Sequence, residues 1–140
     1  MAMRLALMTI TPVLASLVAA SARAADLTVE VSGLRSAAGV VRVAVCPEES
    51  FTTPRCPHVG AAPAAAGSVT VSGIPPGVYA VQVFHDEDGD GDLDRRAFWP
   101  TEGLGFSRDA PMRMGPPKFG DAALRINGNG TIRITMRYFG

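Results

Sequence analysis

The chain has 140 residues, with 13 Lys and Arg against 13 Asp and Glu, and 47% of its residues are apolar. This length and composition are typical of one globular domain and exclude a disordered or collagen-like chain. The lack of a positive net charge argues against a nucleic-acid-binding protein.

The first 24 residues have the pattern of an export signal. Arg4 precedes an apolar stretch over residues 5–20, and Ala22-Arg23-Ala24 is a small-x-small pattern of the kind that signal peptidase cleaves. The apolar stretch is short for a transmembrane helix, which needs about 18–20 apolar residues, and a retained helix is the weaker alternative. We expect cleavage after Ala24 and a single domain over residues 25–140, without a transmembrane segment, in the periplasm or outside the cell. Cleavage removes Arg4 and Arg23 and leaves eleven basic against thirteen acidic residues, a formal charge of −2.

After the leader, the hydrophobic pattern of the sequence repeats every two residues. Apolar residues alternate with polar ones, which is typical of strands with one buried and one solvated face. These runs cover residues 27–32, 41–45, 69–72, 78–85, 122–126 and 131–138. The pattern predicts an all-β fold, a small antiparallel β-sandwich of six to seven strands, immunoglobulin-like or transthyretin-like.

Turn residues separate these runs. Residues 36–39 and 74–77 are predicted to connect strands, and Asn127-Gly128-Asn129-Gly130 predicts a hairpin because Asn and Gly accept positive φ. The segments 46–67 and 95–120 are rich in Pro and Gly and are predicted to be irregular loops, which at this length are either functional or packed over a sheet end.

Cys46 and Cys56 are the two cysteines of the chain. An even number of cysteines in an exported protein predicts a disulfide. The alternative, a reactive or metal-binding pair, lacks the two-residue spacing of redox and zinc motifs.

The strongest motif follows the strand predicted over residues 78–85. Residues 86–94 contain six carboxylates, with Asp at alternate positions and Gly91 where a calcium loop turns sharply. These features predict a Ca²⁺ site. Its expected ligands are Asp86, Asp88, Asp90, Asp92, Asp94 and the more distant Glu102.

The loop is not an EF-hand. Its twelfth position is Ala97, where an EF-hand has a bidentate Glu, and no helix-forming sequence flanks it. A solvated acidic turn without an ion is the competing interpretation.

Three segments together resemble a known family. They are residues 77–94, Pro100-Thr101-Glu102-Gly103-Leu104-Gly105-Phe106-Ser107, and Gly115-Pro116-Pro117-Lys118-Phe119-Gly120-Asp121-Ala122. The chain resembles the exported bacterial proteins of domain of unknown function 2141 over nearly its whole mature length. The resemblance implies a small exported β-sandwich and no established activity. The chain departs from the family pattern in its Asp-rich loop and in the aromatic pair before Pro100.

Aromatic residues concentrate in the segment 97–119, which also contains many Gly and Pro residues. A ligand site there would use Phe98, Trp99, Phe106 and Arg108. Packing of the same rings over the end of a sandwich is the interpretation we favour.

No familiar catalytic motif is present in the sequence. The sequence therefore predicts an exported, non-enzymatic, monomeric β-sandwich that binds calcium. The alternatives are an envelope module that binds a small ligand or polysaccharide through segment 97–119, and a hydrolase that uses Glu102 with Asp94 or His85. The sequence does not identify a ligand or protein partner.

Overall fold

The computed structural model describes residues 6, 8–13, 23–89, 95–96, 99–100 and 102–139, with only the backbone at 95–96 and 99–100. The predicted β-sandwich is confirmed: two sheets of three and five strands face each other. No helix in the described ranges is long and apolar enough to cross a bilayer.

The smaller sheet contains the first and last strands. Strand β1 (Ala25–Ser32) lies between β4 (Ser68–Ile74) and β10 (Gly130–Thr135). It pairs antiparallel with β4 and parallel with β10, so Thr28 lies opposite Thr131. One ladder of the sandwich is therefore parallel, whereas the sequence predicted antiparallel pairing.

The larger sheet is built on strand β5 (Gly77–Asp86). Strand β2 (Val40–Cys46) pairs with it on one side and β8 (Gly103–Phe106) on the other, and β3 (His58–Pro63) extends the sheet beyond β2. A short strand β9 (Leu124–Ile126) pairs with the beginning of β5. Every described ladder of this sheet is antiparallel.

Smaller elements complete the chain. Strands β6 (Arg95–Arg96) and β7 (Trp99–Pro100) pair with each other. A four-residue helix α1 (Phe119–Ala122) precedes β9, and single 3₁₀ turns cover Glu48–Ser50, Ala64–Ala66 and Ser107–Asp109.

The main core lies between the two sheets. The alternation seen in the sequence directs one face of each strand inward, and Val29, Val43, Val83 and Ile134 are fully or almost fully buried there. Burial of a side chain of this size contributes about 1.5–3 kcal/mol to stability.

A second cluster covers the outer face of the larger sheet at one end. Phe106 packs edge-to-face against Phe51, with ring centroids 6.0 Å apart, and Phe51 packs in the same way against Phe119. The disulfide between Cys46 and Cys56 lies in this cluster. Phe106 and Phe119 therefore pack over the sheet, which is the role that we favoured for the aromatic residues of this segment.

Two further sequence predictions are wrong. Segments 46–67 and 95–120 are not wholly irregular, because they contain β3 and β8. Residues 127–130 do not form a hairpin: β9 pairs with β5 and β10 pairs with β1, so this segment crosses between sheets. In the part of the chain that the structure describes there are ten strands, because short strands such as β6 and β7 add to the predicted six or seven.

Candidate metal-binding site

An acidic cluster forms where β5 ends and β8 begins. Antiparallel pairing sets His85 opposite Gly103, which brings Asp86, the last residue of β5, beside Glu102, the residue before β8. Asp88 lies in the turn that follows β5, where Gly89 adopts a φ of 70°. Strand pairing therefore brings Glu102 beside the end of β5, although Glu87 and Glu102 are fifteen positions apart in the sequence.

Asp86, Asp88 and Glu102 can each present one carboxylate oxygen, and these oxygens all lie within 4.8 Å of one another. Asp86 and Glu102 are buried and Asp88 is exposed. The Glu102 carboxylate accepts a hydrogen bond from the Glu87 backbone N–H at 2.6 Å, which holds its side chain against the turn. This group could hold a metal ion.

Arg42 on β2 approaches the cluster from the neighbouring strand. Its Nε donates to Asp86 Oδ2 at 2.9 Å. A buried carboxylate needs such a partner because the transfer of an unpaired charge from water into protein is costly. Arg42 is not among the site residues predicted from the sequence, because an arginine on an alternating strand is an ordinary outward-facing residue.

Glu87, although it lies between two cluster residues, interacts with a different set of groups. Its carboxylate accepts hydrogen bonds from Arg35 Nε at 2.7 Å and from Ser36 Oγ at 3.1 Å. The hydrogen bond from Arg35 lowers the pKa of Glu87 and raises that of Arg35. Successive side chains of an extended chain point to opposite faces, so the Glu87 side chain points away from the side that carries Asp86.

His85 is buried on the core side of β5. Its Nε2 lies 2.6 Å from the Ala38 carbonyl oxygen, to which it donates, and its Nδ1 lies 2.9 Å from the Tyr138 hydroxyl. Burial raises the pKa of Tyr138. Both ring nitrogens of His85 thus have partners within the protein, which is the arrangement of a structural histidine.

The other predicted ligands have different positions. Asp90, Asp92, Asp94 and Phe98 lie outside the described residues, and only the backbone of Trp99 is described. Phe106 is buried in the second cluster.

Arg108 lies apart from the cluster, at a hollow next to α1. Its Nη1 donates to the carbonyl oxygens of Gly120 and Ala123.

These features define a class of protein by architecture: a two-sheet β-sandwich with a carboxylate group at one end of its larger sheet that could hold a metal ion. The family model described as "Uncharacterized protein conserved in bacteria (DUF2141)" matches residues 29–134, and the chain belongs to this family. No curated protein and no solved structure matches the chain.

Proposed function

We propose that this protein is an exported, non-catalytic β-sandwich that binds Ca²⁺ through Asp86, Asp88 and Glu102. The observation that carries the proposal is the convergence of three carboxylates from two segments, with oxygens within 4.8 Å of one another. Carboxylates at this spacing repel one another by about 1 kcal/mol in bulk water and by about 4 kcal/mol at an effective dielectric constant of 20. A bound cation removes this cost.

The ligand set supports calcium over magnesium. Its three carboxylates have oxygens that all lie within 4.8 Å of one another, which is compatible with Ca²⁺–oxygen distances of about 2.3–2.6 Å. Mg²⁺ is usually held by only one or two carboxylates and keeps several of its waters. The Asp-rich residues 90–94 follow directly in the chain and supply further oxygens for the six to eight that calcium requires.

Export is supported by the leader pattern of residues 1–24 and by the disulfide, which forms and persists in oxidising compartments. A non-catalytic role is supported by the two internal partners of His85, which leave its ring engaged within the fold.

A thermal titration tests the calcium site. With a dissociation constant of about 0.1–1 mM, which is typical of extracellular calcium modules, 1 mM Ca²⁺ stabilises the fold by about 0.4–1.4 kcal/mol. We expect the melting temperature to rise by about 2–6 °C relative to EDTA.

The matched variants are Asp88→Asn with Glu102→Gln at the site, and Glu48→Gln with Glu49→Gln as a control. Both pairs remove two negative charges, and Glu48 and Glu49 are exposed on a 3₁₀ turn. The calcium response should disappear in the first double variant and persist in the second. A wild-type protein that shows no response at 10 mM Ca²⁺ would refute the site.

A further inference from the structure

A broad groove runs over the outer face of the five-stranded sheet. Its volume is about 960 Å³, which is near the upper end of the range of about 300–1,000 Å³ found for small-molecule pockets. The outward side chains of four strands form its floor, and two loops, residues 52–56 and 112–116, form its walls. The floor residues are Arg42, Ala44, Val59, Ala61, Gln82, Phe84, Leu104 and Phe106.

The surface of the groove is mainly apolar and partly open to solvent. Val59 is 68% exposed, Met114 97% and Phe139 39%, and all three line it. An apolar surface of this kind, bordered by loops, marks a binding site more often than chance exposure does. Met112 and Met114 on one wall have flexible thioether side chains that adapt to a linear apolar ligand.

Arg42 is the one charged side chain among the described residues that line the groove. It meets Asp86 through Nε alone, and its Nη1 and Nη2 groups make no hydrogen bond to any described residue. These two groups are donors in a fixed fork geometry that matches a carboxylate. The groove therefore combines a long apolar surface with one cationic donor pair.

We propose that the groove binds a linear fatty acid, with the acyl chain along the apolar floor and the carboxylate at Arg42. The Arg42 N–H groups that Asp86 does not occupy can donate to a carboxylate head group, and the apolar lining selects a hydrocarbon chain over a sugar, which would need many more polar partners. The proposal uses the groove lining and Arg42 and none of the carboxylate oxygens that are proposed to bind the metal ion.

Isothermal titration calorimetry in EDTA tests the ligand class with octanoate, decanoate and dodecanoate below their micellar concentrations. Each added CH₂ should tighten binding by up to about fourfold until the groove is filled. Decanoate should bind about tenfold or more tightly than 1-decanol or decyltrimethylammonium, because only the carboxylate forms charge-assisted hydrogen bonds to Arg42. Equal affinities for these three head groups would overturn the proposal.

Two substitutions place the ligand in the groove. Ala61 is exposed on the floor and lies opposite Arg42 in the β2–β3 ladder, so Ala61→Trp should fill the groove and abolish decanoate binding. Ser72→Trp adds the same ring to an exposed position of β4 in the other sheet and should leave binding unchanged. Unchanged affinity in Ala61→Trp would refute the site.

Arg42→Gln should remove the preference for decanoate over 1-decanol. If Arg42→Gln does not fold, Ala61→Trp still tests whether decanoate binds in the groove.

Sedimentation velocity decides whether a second copy of the protein occupies the groove instead. A dimer that Ala61→Trp converts to a monomer would assign the groove to self-association and overturn the fatty-acid proposal.

Discussion

Gly105 on β8 shows how a single residue sets the distance between the sheets. A Cβ added at this position would lie 2.6 Å from Ile134 Cγ2 and 3.1 Å from the Thr135 carbonyl oxygen, both on the opposite sheet. Ile134 is fully buried and cannot move away. The glycines of β8 therefore allow this strand to approach the core closely.

Gly105→Ala should destabilise the protein by about 1–3 kcal/mol, because it overpacks a filled core. Gly120→Ala is the control, since a Cβ there meets no atom within 4 Å and Ala favours the helix α1 by up to about 1 kcal/mol. Urea unfolding of both variants gives the comparison. Equal unfolding free energies for Gly105→Ala and the wild type would show that the sheets can separate at no cost.

The ion pair between Glu87 and Arg35 should make a pH-dependent contribution to stability. Because the hydrogen bond from Arg35 lowers the pKa of Glu87 in the folded state, the contribution is present above the unfolded pKa of about 4.3 and is lost as the pH falls through the folded value. Arg35 is partly exposed, so the pair is worth about 0.2–1 kcal/mol.

Glu87→Gln should therefore unfold at lower urea than the wild type at pH 7, and the difference should vanish in acid below the folded pKa. The measurement is made in EDTA so that metal binding at the neighbouring carboxylates does not contribute. Glu49→Gln removes the same charge from an exposed position and should show no such convergence. If the loss of stability in Glu87→Gln stayed constant over the whole acid range, the proposed pH dependence of the Glu87–Arg35 ion pair would be contradicted.

At the scale of single elements, alternation of apolar and polar residues predicts strands only where the inward residues are large. Strand β3 was missed because Gly60 and Ala62 occupy its inward positions, where a Cβ on Gly60 would lie 2.9 Å from the Thr70 carbonyl oxygen. Strand β8 was missed for the same reason, since Gly103 and Gly105 face the core. Close approach of two sheets requires small residues, and small residues remove the hydrophobic period.

Strand partners also depend on contacts that no local pattern reveals. Asn127 to Gly130 favour positive φ, and Gly128 does adopt a φ of 131°, but the chain then joins β1 in the other sheet. The residues of the candidate site were likewise only partly predictable from the sequence. The Asp spacing indicated Asp86 and Asp88 and included Glu102 as a distant ligand, whereas Arg42 could be found only from the register of β2 on β5.

The disulfide restrains the loop that connects β2 to β3. Closure of this eleven-residue loop predicts about 2–3 kcal/mol of stabilisation by the chain-entropy model. The double variant Cys46→Ala with Cys56→Ala should lose this amount in urea unfolding. The wild type in reducing buffer should show a comparable loss, while the double variant should not respond to the reductant. An unchanged unfolding midpoint in both experiments would show that the disulfide does not stabilise the fold.

At the scale of the whole molecule, the sandwich presents two chemically different regions of one sheet. The acidic cluster lies at one end of β5 and the apolar groove spreads over the outer face, and Arg42 contacts both. Because its Nε holds Asp86 and the same residue lines the groove, one side chain joins the buried carboxylate to the proposed ligand site.

The parallel pairing of β1 with β10 joins the beginning and the end of the fold. Strand β1 is the centre of the smaller sheet, yet one of its two neighbours lies about a hundred residues further along the chain. A chain delivered from its N-terminus consequently carries an open central strand until nearly all of it has emerged, and pairing across such a separation is slow. On the proposed export route, this delay would leave the chain unfolded while it passes through a translocation channel. The core would then close only after the chain has crossed the membrane.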